Sequence, residues 1–286
     1  MSDELALVPR LADVVCATQD PLTLAALYQA IGAKVDVAGD SLIIDIAGSR
    51  IEYRSSDQGS GIVTVGVEVD DLARRLVEIK AHGVAASLMS VDVADPDEIR
   101  IGAEHANGVD VIVRQAPNMV DDAGAWTPIR LDHVALAVQD LDAAAGVWAA
   151  LTGVRPNMMG VHPVSNGAFT AARLSLGEQM IELVSPVQGQ DSTFARRLRS
   201  KGEGPAAMAL PVDDLDATVG RLAAIGIEVL RSDPHVMLHP SDAGGVLVQL
   251  TPRVEHEPAA TTACKVQRAT SPLRRGRDCA PGSCVD

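Results

Sequence analysis

Across 286 residues, 47% are apolar but only 2% are aromatic, and the formal net charge is −14. A chain of this length holds one large domain or two of ordinary size, with a core of Ala, Val, Leu and Ile. The negative charge repels phosphate backbones and anionic membranes, and the few rings leave little for bases to stack on, which excludes nucleic acid and a membrane surface as partners.

The opening MSDELALVPR has no basic region ahead of an apolar run. It is not a secretory signal, and no segment approaches the length of a membrane span. A cytoplasmic protein is expected. Cys16 lies in a predicted strand, whereas Cys264, Cys279 and Cys284 lie near the end of the chain. That distribution is no disulfide framework; unpaired tail thiols are expected, with a bridge or a metal as the alternatives.

The first predicted strand lies in LADVVCATQD, from Leu11. Asp20 followed by Pro21 reads as a cap and first helical position for LTLAALYQAIG, which closes at Gly32. Strand candidates follow at Lys34–Val37, Ser41–Ile46 and Arg50–Arg54, separated by Gly39-Asp40 and Gly48-Ser49 turns. The order then repeats. Ile62–Val69 is a strand, Asp70 or Asp71 caps LARRLVEIKAHG, and the last strand of the unit is Val109–Arg114.

A third unit runs over Ile129–Pro186. It opens with LDHVALAVQD, where alternation puts Leu131, His133, Ala135 and Ala137 on one face and Asp132, Val134, Leu136 and Val138 on the other. Asp140 or Asp142 caps the helix that follows, and Gly153 ends it. A fourth unit runs over Ala206–Pro252, with its strand and cap in AAMALPVDDL and its helix in DATVGRLAAIG. Its terminal strand is GVLVQLT. After Pro252 the apolar period stops, and the rest reads as a disordered tail.

The halves match each other in order. LADVV at Leu11 answers LDHVA at Leu131, and RIEY answers MIEL. EVDDLARRL answers PVDDLDATV, and NGVDVIV answers GGVLVQL. A tandem duplication follows, with an older repeat inside each half. The fold class is α+β: four βαβββ units in two tandem domains. The expected division is 1–115, a 116–128 linker, 129–252 and a 253–286 tail.

The segments LDHVALAVQDLD, MIELVSP, STFARRLRSKGEG, MALPVDDLDATVGRLAAIGIEV and HPSDAGGVLVQLTPR carry a resemblance. Together they are similar to the vicinal oxygen chelate superfamily, which includes glyoxalase I, methylmalonyl-CoA epimerase, bleomycin- and fosfomycin-resistance proteins and extradiol dioxygenases. The second half resembles the epimerase-like branch most. The resemblance implies curved sheets around a cavity. It also implies a divalent metal that holds two neighbouring substrate oxygens beside a proton-transfer base.

Carried over by residue, His133 matches the first ligand, Glu182 the second and Gln249 the fourth, while Ala207 stands where the third, usually a His, belongs. The set is incomplete and admits one divalent metal (Zn, Ni, Co, Mn or Fe) or none. The two carboxylates of epimerase chemistry match Gln249 and Thr170. In the first half Asp13, Glu52, Thr64 and Ile112 take the four ligand positions, so that half is expected to be a structural partner. His133, Glu182 and Gln249 are thus the candidate catalytic residues, with Glu182 as base if its face is buried. Each has a plain alternative: a core histidine, an edge glutamate, a hydrogen-bonding amide.

His162, Thr170, His239 and Arg196 are the candidate substrate-binding residues, Arg196 as part of a basic helix capped by Ser192. The expected function is a lyase or isomerase moving a proton on a small oxygenated substrate, a carbonyl-carboxylate or an acyl thioester. The alternatives are a metal-free binding protein of the bleomycin-resistance type and an extradiol-type dioxygenase. The partner is a small molecule, and the chain is a monomer or a homodimer.

Overall fold

The computed structural model describes residues 8–46, 48–89, 98–117, 130–164, 167–232 and 235–253. The expected linker and tail, with three of the four cysteines, fall almost wholly outside the described residues.

The first half contains β1 (Arg10–Thr18), α1 (Ala25–Ala30), β2 (Lys34–Ala38), β3 (Ser41–Ile46) and β4 (Ser49–Ser55). It continues with β5 (Gly61–Val69), α2 (Leu72–Ala81), β6 (Ser87–Met89), β7 (Glu98–Ile101) and β8 (Asp110–Gln115). The second half contains β9 (His133–Ala137), α3 (Leu141–Thr152), β10 (Asn157–Val164), β11 (Gly167–Leu176) and β12 (Gln179–Pro186). After it come α4 (Thr193–Lys201), β13 (Gly204–Val212), α5 (Leu215–Ala224), β14 (Val229–Ser232), β15 (His235–Leu238) and β16 (Val248–Pro252).

Each half is one curved eight-stranded sheet. The strand orders are β2-β3-β4-β1-β5-β8-β7-β6 and β10-β11-β12-β9-β13-β16-β15-β14. The second is the first shifted by eight strands, so the duplication read from the motifs holds strand by strand. The insertion is α4, which has no counterpart in the first half among the described residues.

Capping follows the local chemistry. The carboxylates of Asp71, Asp140 and Asp214 accept from the backbone N–H three residues on, at 2.8, 3.0 and 2.9 Å. Gly153 closes α3 in the left-handed region, with φ 76°. Asp20 departs from expectation. Pro21 opens a 3-10 turn, Pro21–Leu24, and the Asp20 side chain caps nothing. Instead Thr23 Oγ1 donates to the Asp20 carbonyl at 2.7 Å. The tight first turn takes the place of the expected α-helical start, and α1 itself is only six residues long.

One apolar cluster takes in residues of both halves, from Leu11, Tyr53 and Val111 to Leu136, Trp148 and Leu250. It lies on the helix-covered side of both sheets. Helix α2 packs on α3, and α1 on α5, a pseudo-symmetric pair of contacts. Two glycines that match in the repeat also match in place. A Cβ on Gly108 would meet the Glu203 carbonyl oxygen at 2.1 Å, and one on Gly245 would meet Ser60 Oγ at 2.3 Å. Each half therefore presses a glycine turn against the segment leading into the fifth strand of the other. Across the same seam the Gln179 amide donates to Ser49 Oγ at 2.7 Å and accepts from the Leu11 N–H at 2.9 Å. No helix among the described residues is long and apolar enough to cross a membrane.

Candidate functional site

The face of the second sheet turned away from the main core carries the candidate residues. On β12, Ile181 and Leu183 enter the core and Glu182 points the other way. On β9, Val134 and Leu136 enter the core, which leaves His133, Ala135 and Ala137 on the open face.

Upstream of His133 the expected alternation fails. The strand starts at His133, so Leu131 buries itself in the core at 1% exposure. Asp132 ties its backbone to both neighbours, donating to the Ala209 carbonyl and accepting from the Met180 N–H, each at 2.9 Å. Its side chain then lies beside the imidazole rather than on the opposite face, with Asp132 Oδ2 2.7 Å from His133 Nδ1. A carboxylate can only accept, so Nδ1 carries a proton and Nε2 is left to exchange one.

His133 Nε2 lies 4.0 Å from Glu182 Oε2, and the two side chains are 14% and 13% exposed. Glu182 is also held from β11, where Arg173 sits opposite it in register and donates from Nε to Oε1 at 2.8 Å. Arg173 was not legible as a site residue. Its signal was the strand register, which places a cation directly across from the carboxylate.

Gln249 lies two strands from His133. Register aligns His133 with Ala209 and Ala209 with Gln249, roughly 10 Å across two strand spacings. Ala207 pairs with Ala135, which in turn pairs with Glu182, so Ala207 lies two strands from that carboxylate. The open face thus has a polar end at Arg173, Glu182 and His133. Its other end is apolar: Ala137, Ala171 and Val184 are buried under Phe169, Phe194 and Leu198. Helix α4 supplies the last two.

The remaining candidates lie apart. His162 stacks on Phe169 with ring centroids 5.4 Å apart, at the apolar end, and its buried Nε2 has no hydrogen-bond partner among the described residues. Thr170 alternates with Ala171 and so faces the helix side, its hydroxyl directed at the Ser185 carbonyl at 3.4 Å. His239 is exposed in a turn, where Nδ1 accepts from the Ser241 N–H at 3.2 Å. Arg196 is bound at the start of α4 to the Asp191 carbonyl and carboxylate, at 2.7 and 3.3 Å. Arg199 and then Arg196 hold the Asp191 carboxyl below its ordinary value. None of the four is hydrogen-bonded or ion-paired to His133 or Glu182.

In the first half the equivalent face is an ion lattice. Asp13 takes the place of His133 and pairs with Arg114 and with Arg50, the latter at 3.2 Å. Glu52 pairs with Arg54 at 2.7 Å, and Glu98 with Arg100 and Arg114 at 2.6 and 3.2 Å. The Arg54 hydrogen bond holds the Glu52 carboxyl below its usual range. Burial pushes Glu98 up, but hydrogen bonds from Arg100 and Arg114 outweigh it and leave that carboxyl lowered.

The profile of the Glyoxalase/Bleomycin resistance protein/Dioxygenase superfamily matches residues 132–243. Human mitochondrial methylmalonyl-CoA epimerase is 33% identical over 134 residues, covering 44% of this chain and 74% of that protein. The chain belongs to this superfamily. The ethylmalonyl-CoA/methylmalonyl-CoA epimerase of Cereibacter sphaeroides is 33% identical over 131 residues, covering 42% of this chain and 96% of that protein. Among solved structures, a mutant of 4-hydroxymandelate synthase from Streptomyces coelicolor covers 87% of this chain and 94% of its own, with a TM-score of 0.67 and 15% identity. The 2,2',3-trihydroxybiphenyl 1,2-dioxygenase of Sphingomonas wittichii covers 85% and 90%, with a TM-score of 0.61 and 13% identity. Those two likenesses extend the superfamily fold over both halves and speak to the fold alone.

The superfamily resemblance implies a divalent metal, and the donor set here does not fit one. A metal centre of this kind needs three protein donors. The third position is the Ala207 methyl, the fourth is the uncharged Gln249 two strands from His133, and Glu182 already carries a guanidinium whose charge opposes a dication. Among the described residues no group of three His, Cys, Asp or Glu side chains is arranged to hold a metal.

Proposed function

We propose that the second half is the working site, and that it moves a proton on a small oxygenated substrate in an isomerase- or lyase-type reaction. The observation that carries this is the Asp132–His133 pair. A carboxylate 2.7 Å from Nδ1 fixes the ring and its tautomer and directs Nε2 to the open face. In this reading Nε2 takes the proton next to a carbonyl, the electron pair passes to the carbonyl oxygen, and the imidazolium returns the proton. Glu182, 4.0 Å from Nε2, is the countercharge to the imidazolium rather than the base. In the same reading the Gln249 amide donates to a substrate oxygen.

The epimerase relatives support an acyl thioester with a neighbouring carboxylate as the substrate class. With this reading go a cytoplasmic location, a small-molecule partner and a division of the chain into two tandem domains, the first structural.

The test is solvent deuterium exchange, followed by NMR, over a panel of 2-substituted acyl-CoA thioesters and 2-oxo or 2-hydroxy acids. Exchange is expected with the wild type, and a loss of about 10²–10⁴-fold in His133→Ala and in Asp132→Asn. The binding-protein reading rests on a different observation, the methyl of Ala207 where a ligand atom belongs. Panel members that raise the melting temperature without exchanging would select it. A dioxygenase reading finds too few donors on this face.

A further inference from the structure

We propose that Arg173 is the anion-binding residue of this site, gripping a substrate carboxylate or a developing oxyanion next to His133. The proposal deepens the proton-transfer reading and rests on the same site. Three features of the residue carry it.

The first is its donor inventory. A guanidinium has five N–H groups in a fixed fork. Arg173 spends only Nε on Glu182, at 2.8 Å, and both terminal nitrogens lack a protein partner among the described residues. The side chain is 42% exposed while the Glu182 side chain beneath it is 13% exposed. The guanidinium is thus bound through Nε to a mostly buried carboxylate while much of the side chain stays open to solvent.

The second is the contrast with the first half. There the matching glutamate, Glu52, is held from its own strand by Arg54, at 2.7 and 3.0 Å, with Arg50 4.0 Å away. Register gives the residue across from Glu52 as Ile43, where the second half has Arg173 across from Glu182. The second half has Met180 and Val184 where the first has those two arginines. One half packs its charges into a closed lattice of side chains. The other keeps a single guanidinium, brought from the neighbouring strand, with its terminal nitrogens to spare.

The third is position. Arg173, Glu182 and the imidazole lie side by side across adjacent strands, with His133 Nε2 and Arg173 Nε on the two oxygens of the same carboxylate, at 4.0 and 2.8 Å. Because both groups meet the one carboxylate, the bound anion in this proposal sits on the terminal nitrogens beside Nε2. Positive charge fixed at that point stabilises the oxygen that gains charge when the proton leaves. A substrate carrying a carboxylate is the class this arrangement selects, through paired N–H contacts.

The probe is malonate, with malonamide as its uncharged counterpart, titrated into the full-length protein while the His133 ring proton is followed by NMR. Malonate is expected to shift that resonance with saturation and malonamide to leave it unmoved. Arg173→Gln should weaken malonate binding at least tenfold, and Arg74→Gln on α2 should leave it unchanged. Because Arg173→Gln leaves Glu182 unpaired, the double variant Arg173→Gln/Glu182→Gln is run beside it and should show the same loss in a folded protein. Malonate binding that survives in both variants overturns the proposal. So does a wild type that ignores malonate, or a stoichiometric cobalt site that disappears with His133→Ala. Arg173-dependent malonate binding with no exchange on any substrate sinks the proton-transfer reading and leaves the anion site standing. Exchange that depends on His133 with malonate binding indifferent to Arg173 does the reverse.

Discussion

At the scale of single residues, the two halves show what one scaffold position becomes under different neighbours. Asp13 and His133 stand at the same place in their sheets, as do Glu52 and Glu182. Arginines surround the first pair, and the result is a charge lattice whose stability depends on pH. Glu52 and Glu98 titrate below their ordinary value of 4.5 in the fold. A depressed carboxyl contributes stability above its unfolded value and loses it as pH falls through the folded one. Urea midpoints should therefore hold steady above about pH 5 and fall below about pH 4.5. Glu52→Gln should lower the midpoint at neutral pH and flatten its decline in acid. A decline equally steep in both proteins would remove Glu52 from the account. His133 itself was legible as a candidate, because it is the one imidazole on its strand. Asp132 and Arg173 were not. The first needed the strand to start two residues later than alternation suggested, and the second needed the register between β11 and β12.

At the scale of elements, local signals were the most legible part of the chain. The VDDL and QDLD caps and the glycine stops lie within one turn of the helices they bound, so their chemistry is local and readable. Removing one has a local cost: Asp140→Ala should lower stability by about 1 kcal/mol. Chemical denaturation reads it, and a Gly substituted at the same site should cost only a few tenths of a kcal/mol. The first helix was less readable, because Pro21 commits its first turn to a tighter form than the apolar spacing implies. Helix α4 was legible as a capped basic helix, but not as a cover. Its Phe194 and Leu198 lie over Ala137, Ala171 and Val184, contacts between residues far apart in sequence. That cover closes the end of the open face away from His133.

At the scale of the whole molecule, the motif matches foretold two similar halves but not how they join. Gly108 and Gly245 have positive φ, 78° and 86°, and both lie against the other half. Gly83 has a similar φ of 73° with nothing near its missing Cβ. Gly83→Ala should therefore cost only the backbone strain, on the order of 1 kcal/mol. Gly108→Ala should cost clearly more, since its obstacle is the Glu203 backbone. Gly245→Ala should fall between them, because part of its obstacle is the Ser60 side chain. Equal melting temperatures in the three variants would deny the glycines any part in holding the halves together. A single core shared across the seam also explains why a half with Asp13 in place of the histidine is kept. It buries surface that the second half cannot cover alone.

Gln179 gives that junction its own reporter. Its side-chain oxygen, not a strand partner, accepts the Leu11 N–H at 2.9 Å, and its amide nitrogen bonds Ser49 Oγ. The isotope-exchange rate of this one backbone amide measures how often the halves part. It should quicken in Gln179→Ala while amides in the middle of β1, such as that of Val14, keep their protection. Gln179 also opens the strand that carries Glu182, so this reporter of the junction sits three residues from the proposed site.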